Sequence, residues 1–152
     1  MCIRDRDSTT YKAFAEYREG FGANEFIIVT WPGCDLDDPR LEDVTKRIQT
    51  DLPGLVKQVS SGQQAYRALR QRANLSEKTA LNRLRNSFVS DSSHDTALGF
   101  NLTDAGRSDR GAVISQLHQI LQVSGVDPAT ASYSGLAHNL YTLDKELSLI
   151  HI

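Results

Sequence analysis

The chain has 152 residues, a formal net charge of −2 and a hydrophobic fraction of 39%. This length suits a single domain with a hydrophobic core of its own. The mild negative charge argues against a nucleic-acid-binding surface, which needs clustered basic residues, and no apolar run approaches the roughly 18 residues that would span a bilayer.

The two ends of the chain are related at the level of their codons. Residues 1–6 (Met-Cys-Ile-Arg-Asp-Arg) can be encoded by a DNA string whose reverse complement encodes residues 147–152 (Leu-Ser-Leu-Ile-His-Ile). Unrelated protein ends have no reason to show this relation, so both segments are predicted to be translated sequencing adapter around a fragment at residues 7–146. Without the two arginines and one aspartate of the first segment, the net charge changes from −2 to −3. Cys34 then remains as the one native cysteine, which excludes an internal disulfide.

The first predicted elements are a helix and a strand. The helix is expected at residues 9–19 and is ended by Gly20 and Gly22. Tyr11, Phe14, Ala15 and Arg18 are expected on one side of this helix. Residues 25–31 are mostly β-branched or aromatic and are apolar on both faces, which predicts a central strand.

A second helix and a second strand follow. Asp38 suits the N-cap of this helix and Pro39 its first position, while Pro53 and Gly54 end it. Its expected buried stripe is Leu41, Val44, Ile48 and Leu52. Residues 55–60 then predict a strand.

The middle of the chain predicts two further helices and a hairpin. The helices are expected at residues 63–73 and 76–86, with Ser76 as the cap of the second. The hairpin has a short arm, a polar turn and a longer arm, at residues 87–90, 91–95 and 96–103. The residues of the longer arm that alternate inward are Leu98, Phe100 and Leu102.

The last third of the chain predicts a helix, a strand and the start of another helix. Ser108 is expected to begin the first helix and Gly125 to end it. Its buried stripe is Val113, Ile114, Leu117, Ile120 and Leu121. Residues 131–136 predict a strand, and residues 139–146 predict a helix capped by Asn139. The whole order predicts an α+β fold, a ferredoxin-like sandwich of two β-α-β units with a two-helix insertion.

Two patterns contain residue types used in nucleophilic catalysis. Cys34 has no neighbouring base or second metal ligand, so a structural turn residue is the favoured interpretation. Ser93, His94 and Asp95 are adjacent, whereas a hydrolytic triad brings together distant segments, so they favour a polar turn. We therefore expect no catalytic residues.

Two other patterns have candidate binding residues. Asp35, Asp37 and Asp38 lack the closing glutamate of a calcium loop, so helix capping is the favoured interpretation. His138 and Asn139 lie at a predicted strand-to-helix turn, which leaves a hinge as an open alternative to simple capping. We expect no metal and no cofactor, and the sequence does not identify substrate-binding residues.

Four stretches resemble those of a known family in their order and spacing. They are Phe21-Gly22, residues 33–42 (Gly-Cys-Asp-Leu-Asp-Asp-Pro-Arg-Leu-Glu), residues 81–91 with 96 onward, and residues 134–139 (Ser-Gly-Leu-Ala-His-Asn) with Leu143-Asp144. Together they resemble the first large extracytoplasmic loop of the resistance-nodulation-division (RND) superfamily, and most of all its MmpL-like branch of predicted exporters. Relatives commonly have a Gly-Pro-Pro-Val-like step where this chain has residues 135–138 (Gly-Leu-Ala-His), which leaves the subfamily open.

The resemblance implies a porter-type α+β domain at residues 21–138, set between two membrane helices that lie outside the fragment. Residues 7–20 would continue from the first of these helices, and residues 139–146 would lead to the second. The complete protein would be a proton-driven exporter of lipids or other amphiphiles in a bacterial cytoplasmic (inner) membrane, with this segment in the periplasm. Its partners would be the second extracytoplasmic loop and the membrane helices of the same chain.

Two other classes of function are compatible with the residues to different degrees. A free-standing soluble α+β binding or regulatory module would have the same fold but would end in polar termini. An enzyme is disfavoured, because no pair of catalytic residue types stands at a meaningful spacing.

Overall fold

The computed structural model describes residues 25–85, 87–90 and 95–150. The described strands are β1 (Phe26–Thr30), β2 (Val56–Ser61), β3 (Leu98–Leu102) and β4 (Ser132–Ser134). The described helices are α1 (Pro39–Asp51), α2 (Gly62–Gln71), α3 (Glu77–Leu84), α4 (Asp104–Ser108), α5 (Arg110–Val123) and α6 (Leu136–Ile150). The helix predicted at residues 9–19, its two ending glycines and the pair Ser93-His94 lie outside the described residues.

The four strands form one antiparallel sheet in the order β2-β3-β1-β4. β1 pairs with β3 on one side and with β4 on the other, so it is a central strand as predicted. Along the chain, β1-α1-β2 is followed by the inserted helices α2 and α3, and then by β3, α4, α5 and β4. The predicted α+β class is confirmed.

One face of the sheet carries the hydrophobic core. Ile27 and Val29 of β1 pair with Phe100 and Leu98 of β3, respectively, and all four are buried. The helices α1 and α5 contribute the stripes that their spacing predicted. These stripes are Leu41, Val44, Ile48 and Leu52 on the α1 side, and Val113, Ile114, Leu117, Ile120 and Leu121 on α5, all of them buried. Helical periodicity therefore identified the part of the core that α1 and α5 contribute.

The other face of β1 is partly open to solvent. Phe26 is 42% exposed and Ile28 is 36% exposed. Ile28 pairs with Gly99 on β3, which has no side chain, and with Ser134 on β4, whose side chain is small, so neither neighbour covers it. The strand is apolar on both faces, but an antiparallel sheet commonly packs only one face against its core.

The predicted helix ends are confirmed in most cases. Asp38 caps α1, Ser76 caps α3, and Gly125 follows the end of α5 with a φ of +78°. The start of α5 is a correction: Asp109 caps it by accepting a first-turn backbone N–H at 2.9 Å, and Ser108 is the last residue of α4. Ser108 cannot begin α5 because it ends the short helix α4.

The predicted hairpin is also corrected. Its short arm at residues 87–90 is not a strand, and only Val89 in it forms isolated bridges, to Arg85 and to Thr96. The N–H of Ser90 donates to the carbonyl of Asp95 at 2.9 Å and closes this loop. The longer arm becomes β3, which pairs with β1 and β2 instead and buries Leu98, Phe100 and Leu102 as predicted.

The predicted last strand and last helix meet earlier than expected. β4 is shorter than residues 131–136, and α6 begins at Leu136 rather than at Asn139. Gly135 separates them with a φ of +107°, a conformation that residues with a side chain rarely adopt. The N–H of Asn139 donates to the Gly135 carbonyl at 3.1 Å inside the first turn, so Asn139 is not a cap. The predicted domain boundary at residues 138–139 therefore falls within α6.

Candidate functional site

Cys34 occupies a buried turn directly after β1. Its N–H donates to the carbonyl of Trp31 at 2.9 Å, and its own carbonyl accepts the N–H of Thr96 at 2.7 Å. Burial raises the pKa of the thiol to about 11, so it stays protonated at neutral pH. A protonated, fully buried thiol is a poor nucleophile, which agrees with a structural turn residue.

Both oxygens of the Asp38 carboxylate accept hydrogen bonds from nearby residues. Its Oδ1 accepts the N–H of Arg40 at 3.0 Å, and its Oδ2 accepts the indole N–H of Trp31 at 2.8 Å. Burial acts to raise the pKa of Asp38, but the hydrogen bonds from Arg40 and Trp31 outweigh it and hold that pKa below its usual value. Nearby, Asp35 accepts the N–H of Asp37 at 2.9 Å. The capping interpretation is thus confirmed for Asp38, and the described part of the chain has no group of three or more candidate metal ligands.

Three aromatic rings from separate elements meet at Tyr133 of β4. The ring of Tyr133 lies 5.3 Å from that of His138 on α6, nearly parallel to it, and 5.4 Å from that of His118 on α5. Burial lowers the pKa of His138, and the nearby His118 lowers it further. Burial raises the pKa of Tyr133 to about 12, and its hydroxyl donates to the carbonyl of Pro128 at 3.1 Å. The cluster packs α5, β4 and α6 together, and no local sequence pattern could have revealed it.

The structure therefore does not place His138 at the strand-to-helix turn, where the sequence predicted it. The turn itself is at Gly135, while His138 and Asn139 lie in the first turn of α6. Stacking against Tyr133 fixes the His138 ring to the body of the domain. The hinge interpretation stays a prediction, and any hinge is more naturally placed at Gly135.

A cleft of about 620 Å³ lies between the edge strand β2 and α2. Its lining is rich in polar side chains, among them Gln58, Gln64 and Arg67. Arg67 is already ion-paired with Glu42 on α1, with Nη1 at 2.9 Å from Oε2. The described residues that line the cleft include neither a carboxylate nor a histidine, so they supply no general base for catalysis.

The exposed side of the sheet forms a broader surface, which we call the open sheet face. Strand alternation and pairing register place on it Phe26, Ile28, Gln58, Ser60, Gly99, Asn101, Ser132 and Ser134. Two large apolar side chains thus stand among small or uncharged polar ones. Such a surface provides apolar contact area for a packing partner. The described residues placed on it include no charged side chain.

A second exposed apolar surface runs along α6 and is called the leucine stripe. It consists of Leu136, Leu140, Leu143 and Leu147, whose spacing of four, three and four residues keeps them on one side of the helix. Leu136, Leu143 and Leu147 are 51%, 52% and 49% exposed. The last of them belongs to the segment predicted to be adapter-derived. On another side of α6, Ala137 is fully buried and Tyr141 packs against the core, so the orientation of the helix is fixed.

The start of β1 and the start of α6 lie side by side. A Cβ atom added at Gly135 would lie 2.3 Å from the carbonyl oxygen of Phe26, so the two backbones are in direct contact. The chain therefore enters β1 and leaves into α6 at the same end of the domain. Among the described helices, none is both long and apolar enough to cross a bilayer.

Comparison with known proteins gives no relative for this chain. No family model matches it, and neither a curated protein nor a solved structure is significantly similar to it.

Proposed function

We propose that this chain is an extracytoplasmic lobe of a membrane transporter, the periplasmic porter lobe of a proton-driven, MmpL-like exporter of the RND superfamily. The observation that carries the proposal is the contact between Phe26 and Gly135. A domain inserted between two membrane helices has to receive the chain and return it on the same side. The adjacent starts of β1 and α6 meet that requirement.

The order of the strands supports the same proposal. Two β-α-β units that contribute to one antiparallel sheet with the order β2-β3-β1-β4 fit the ferredoxin-like sandwich that the resemblance implies. The helices α2 and α3 lie between the two units, where the sequence predicts an insertion.

The open sheet face suits a lobe that works against another lobe. Phe26 and Ile28 provide apolar contact area, and Gly99 and Ser134 beside Ile28 permit close approach of a partner surface. In the proposed exporter the partner is the second extracytoplasmic loop of the same chain. The two loops would move against each other and line the path of an amphiphilic cargo. The lobe would contribute surfaces and no chemistry of its own.

Recovery of the longer reading frame tests the proposal directly. Long-read sequencing of the source DNA should extend the frame upstream of Asp7 and downstream of Glu146. We expect on each side an apolar helix of about 20 residues, long enough to span a bilayer. Polar termini or a stop codon next to these positions would instead identify a free-standing α+β binding or regulatory module and would overturn the exporter proposal.

A further inference from the structure

We propose that the cleft between β2 and α2 binds an extended, acidic peptide segment of another protein, which adds to the sheet as a further strand beside β2. The proposed exporter lobe packs through the open sheet face and not through this edge. The inference therefore goes beyond the exporter proposal and does not depend on it.

The cleft borders the outer edge of β2 and not one face of the sheet. Four consecutive residues of this strand, Gln58 to Ser61, line it. Successive side chains of a strand point to opposite faces, so four residues in a row can border one space only along the edge of the strand. β2 is the outermost strand at this side of the sheet, and no other described strand pairs with its outer edge.

The register of the sheet directs the backbone hydrogen-bonding groups of Val59 into the cleft. The N–H of Gly62 donates to the carbonyl of Ala97 at 3.2 Å, so these two residues form a hydrogen-bonded pair. Hydrogen-bonded and non-hydrogen-bonded pairs alternate along an antiparallel ladder. Three positions earlier, Val59 lies opposite Phe100 in a non-hydrogen-bonded pair, and its N–H and carbonyl point away from β3. An added strand supplies an acceptor and a donor for these two groups.

The rest of the sheet edge is protected against strand addition. β4, at the other edge, has only three residues. At its beginning, β2 has a register shift between Val56 and Gln58 and an exposed Lys57, two features that discourage pairing with another chain. From Gln58 to Ser61 the strand pairs with β3 without interruption. The regular part of the edge is therefore the part that borders the cleft.

The charged side chains of the cleft favour an acidic partner. Arg67 and Arg72 both line it, and the described lining includes no carboxylate. Arg67 is paired with Glu42 through Nη1. A guanidinium has five N–H donors, so Arg67 keeps others for a second carboxylate. Acidic side chains on the side of an added strand that faces α2 therefore meet two arginines.

The size and shape of the cleft suit a peptide backbone. Its volume of about 620 Å³ lies within the range of about 300–1,000 Å³ that is typical of ligand sites. On the α2 side, Ala65 and Ala68 have small side chains that allow a chain to lie close to the helix. Phe88, which is half-buried, adds an apolar wall for one side chain of the peptide.

Peptide selection tests the proposed partner chemistry. A phage-displayed library of random peptides is selected against the full chain, and the enriched peptides are synthesised with a fluorescein label for anisotropy measurements. We expect enrichment of acidic sequences rich in β-branched residues. Arg72→Glu should weaken their binding at least about fivefold, because it replaces an attractive charge with a repulsive one. Arg83→Glu makes the same change at an exposed position of α3 outside the cleft and should leave binding unchanged. No enrichment, or equal effects of the two variants, would overturn the proposal.

Amide exchange distinguishes strand addition from simple ionic binding. A saturating enriched peptide should slow exchange of the Val59 N–H at least about tenfold, because that group gains an acceptor. The N–H of Ser60, which faces β3, should change little. A bound peptide that leaves Val59 exchange unchanged would contradict strand addition. Protection of Val59 already in the free chain would show that the edge is covered without a partner, which would also overturn the proposal.

Discussion

The carbonyl oxygen of Phe26 occupies the space where Gly135 would carry a side chain. A Cβ atom at residue 135 would stand 2.3 Å from that oxygen, and the backbone there has a φ of +107°. The junction between β4 and α6 therefore needs a glycine for two separate reasons, its conformation and its contact with β1.

Substitution of Gly135 by alanine should destabilise the domain strongly. The added methyl group meets backbone of β1, which cannot move without breaking strand pairing, and the positive φ adds strain. We expect a loss of about 3 kcal/mol in the free energy of unfolding, measured by urea denaturation.

Gly125→Ala is the matched control for this prediction. Gly125 also has a positive φ, +78°, but no atom lies within 4 Å of an added Cβ. It should therefore lose only about 1 kcal/mol from backbone strain. Equal losses of unfolding free energy in the two variants would show that the contact between residue 135 and Phe26 does not affect stability.

The replacement Asp38→Ala should cost about 2–3 kcal/mol of unfolding free energy, because it removes a helix cap and leaves a buried indole N–H without its acceptor. Asp37→Ala is the control, since Asp37 is exposed and one residue away. Thermal or urea unfolding at neutral pH would measure both. A loss for Asp37→Ala as large as that for Asp38→Ala would contradict the assigned role.

The lowered pKa of Asp38 predicts that the stability of the folded chain depends on pH in the acidic range. Its pKa in the folded chain lies below the ordinary value of 3.8, so the unfolded chain takes up the proton first as pH falls. The stabilisation is therefore present above about pH 4 and is lost as pH falls through the folded pKa. The stability profile of Asp38→Ala should be flatter than that of the parent in this acidic range.

The confirmed predictions of helix stripes and helix ends rest on local patterns in the sequence. The stripes of α1 and α5 repeat at helical spacing, and Asp38, Ser76 and Gly125 have side chains or backbone freedom that act within a few residues. Such interactions are encoded locally, so the sequence alone identifies them.

The features that were missed depend on residues far apart in the chain. The exposure of Ile28 follows from its register against Gly99 and Ser134, which the strand itself does not encode. The Tyr133 ring contacts the rings of both His118 and His138 and so joins three elements. Neither could be read from local periodicity.

His138 should make stability sensitive to mild acid. Burial, and then the nearby His118, lower its pKa in the folded chain below 6.5, so the unfolded chain binds a proton more readily. Stability should therefore fall as pH drops below about 6.5 and level off below the folded pKa. His138→Phe, which can still stack on Tyr133, should remove most of this slope in melting temperature between pH 5 and 8. A variant with the parent slope would exclude His138 as its source.

Two neighbouring residues of β1 should respond very differently to truncation. Ile27→Ala removes a fully buried side chain and should cost about 3 kcal/mol, whereas Ile28→Ala should cost about 1 kcal/mol or less in the isolated domain. Urea unfolding of the two variants measures the difference. Similar losses would mean that the open sheet face is covered within this chain.

If the chain is the exporter lobe that we propose, the same position should matter for transport by the complete protein. Ile28→Asp places a charge on the open sheet face and should oppose packing against the second extracytoplasmic loop, since burying an unpaired carboxylate is costly. We expect efflux of a fluorescent amphiphile such as Nile red to fall at least about fivefold, with unchanged protein level in the membrane. Val123→Asp is the control, because Val123 is 68% exposed but lies at the end of α5, away from that face. If both variants export normally, or both fail alike, the open sheet face is not the docking surface of the lobe. A loss of efflux that is confined to Ile28→Asp would show that transport depends on the open sheet face.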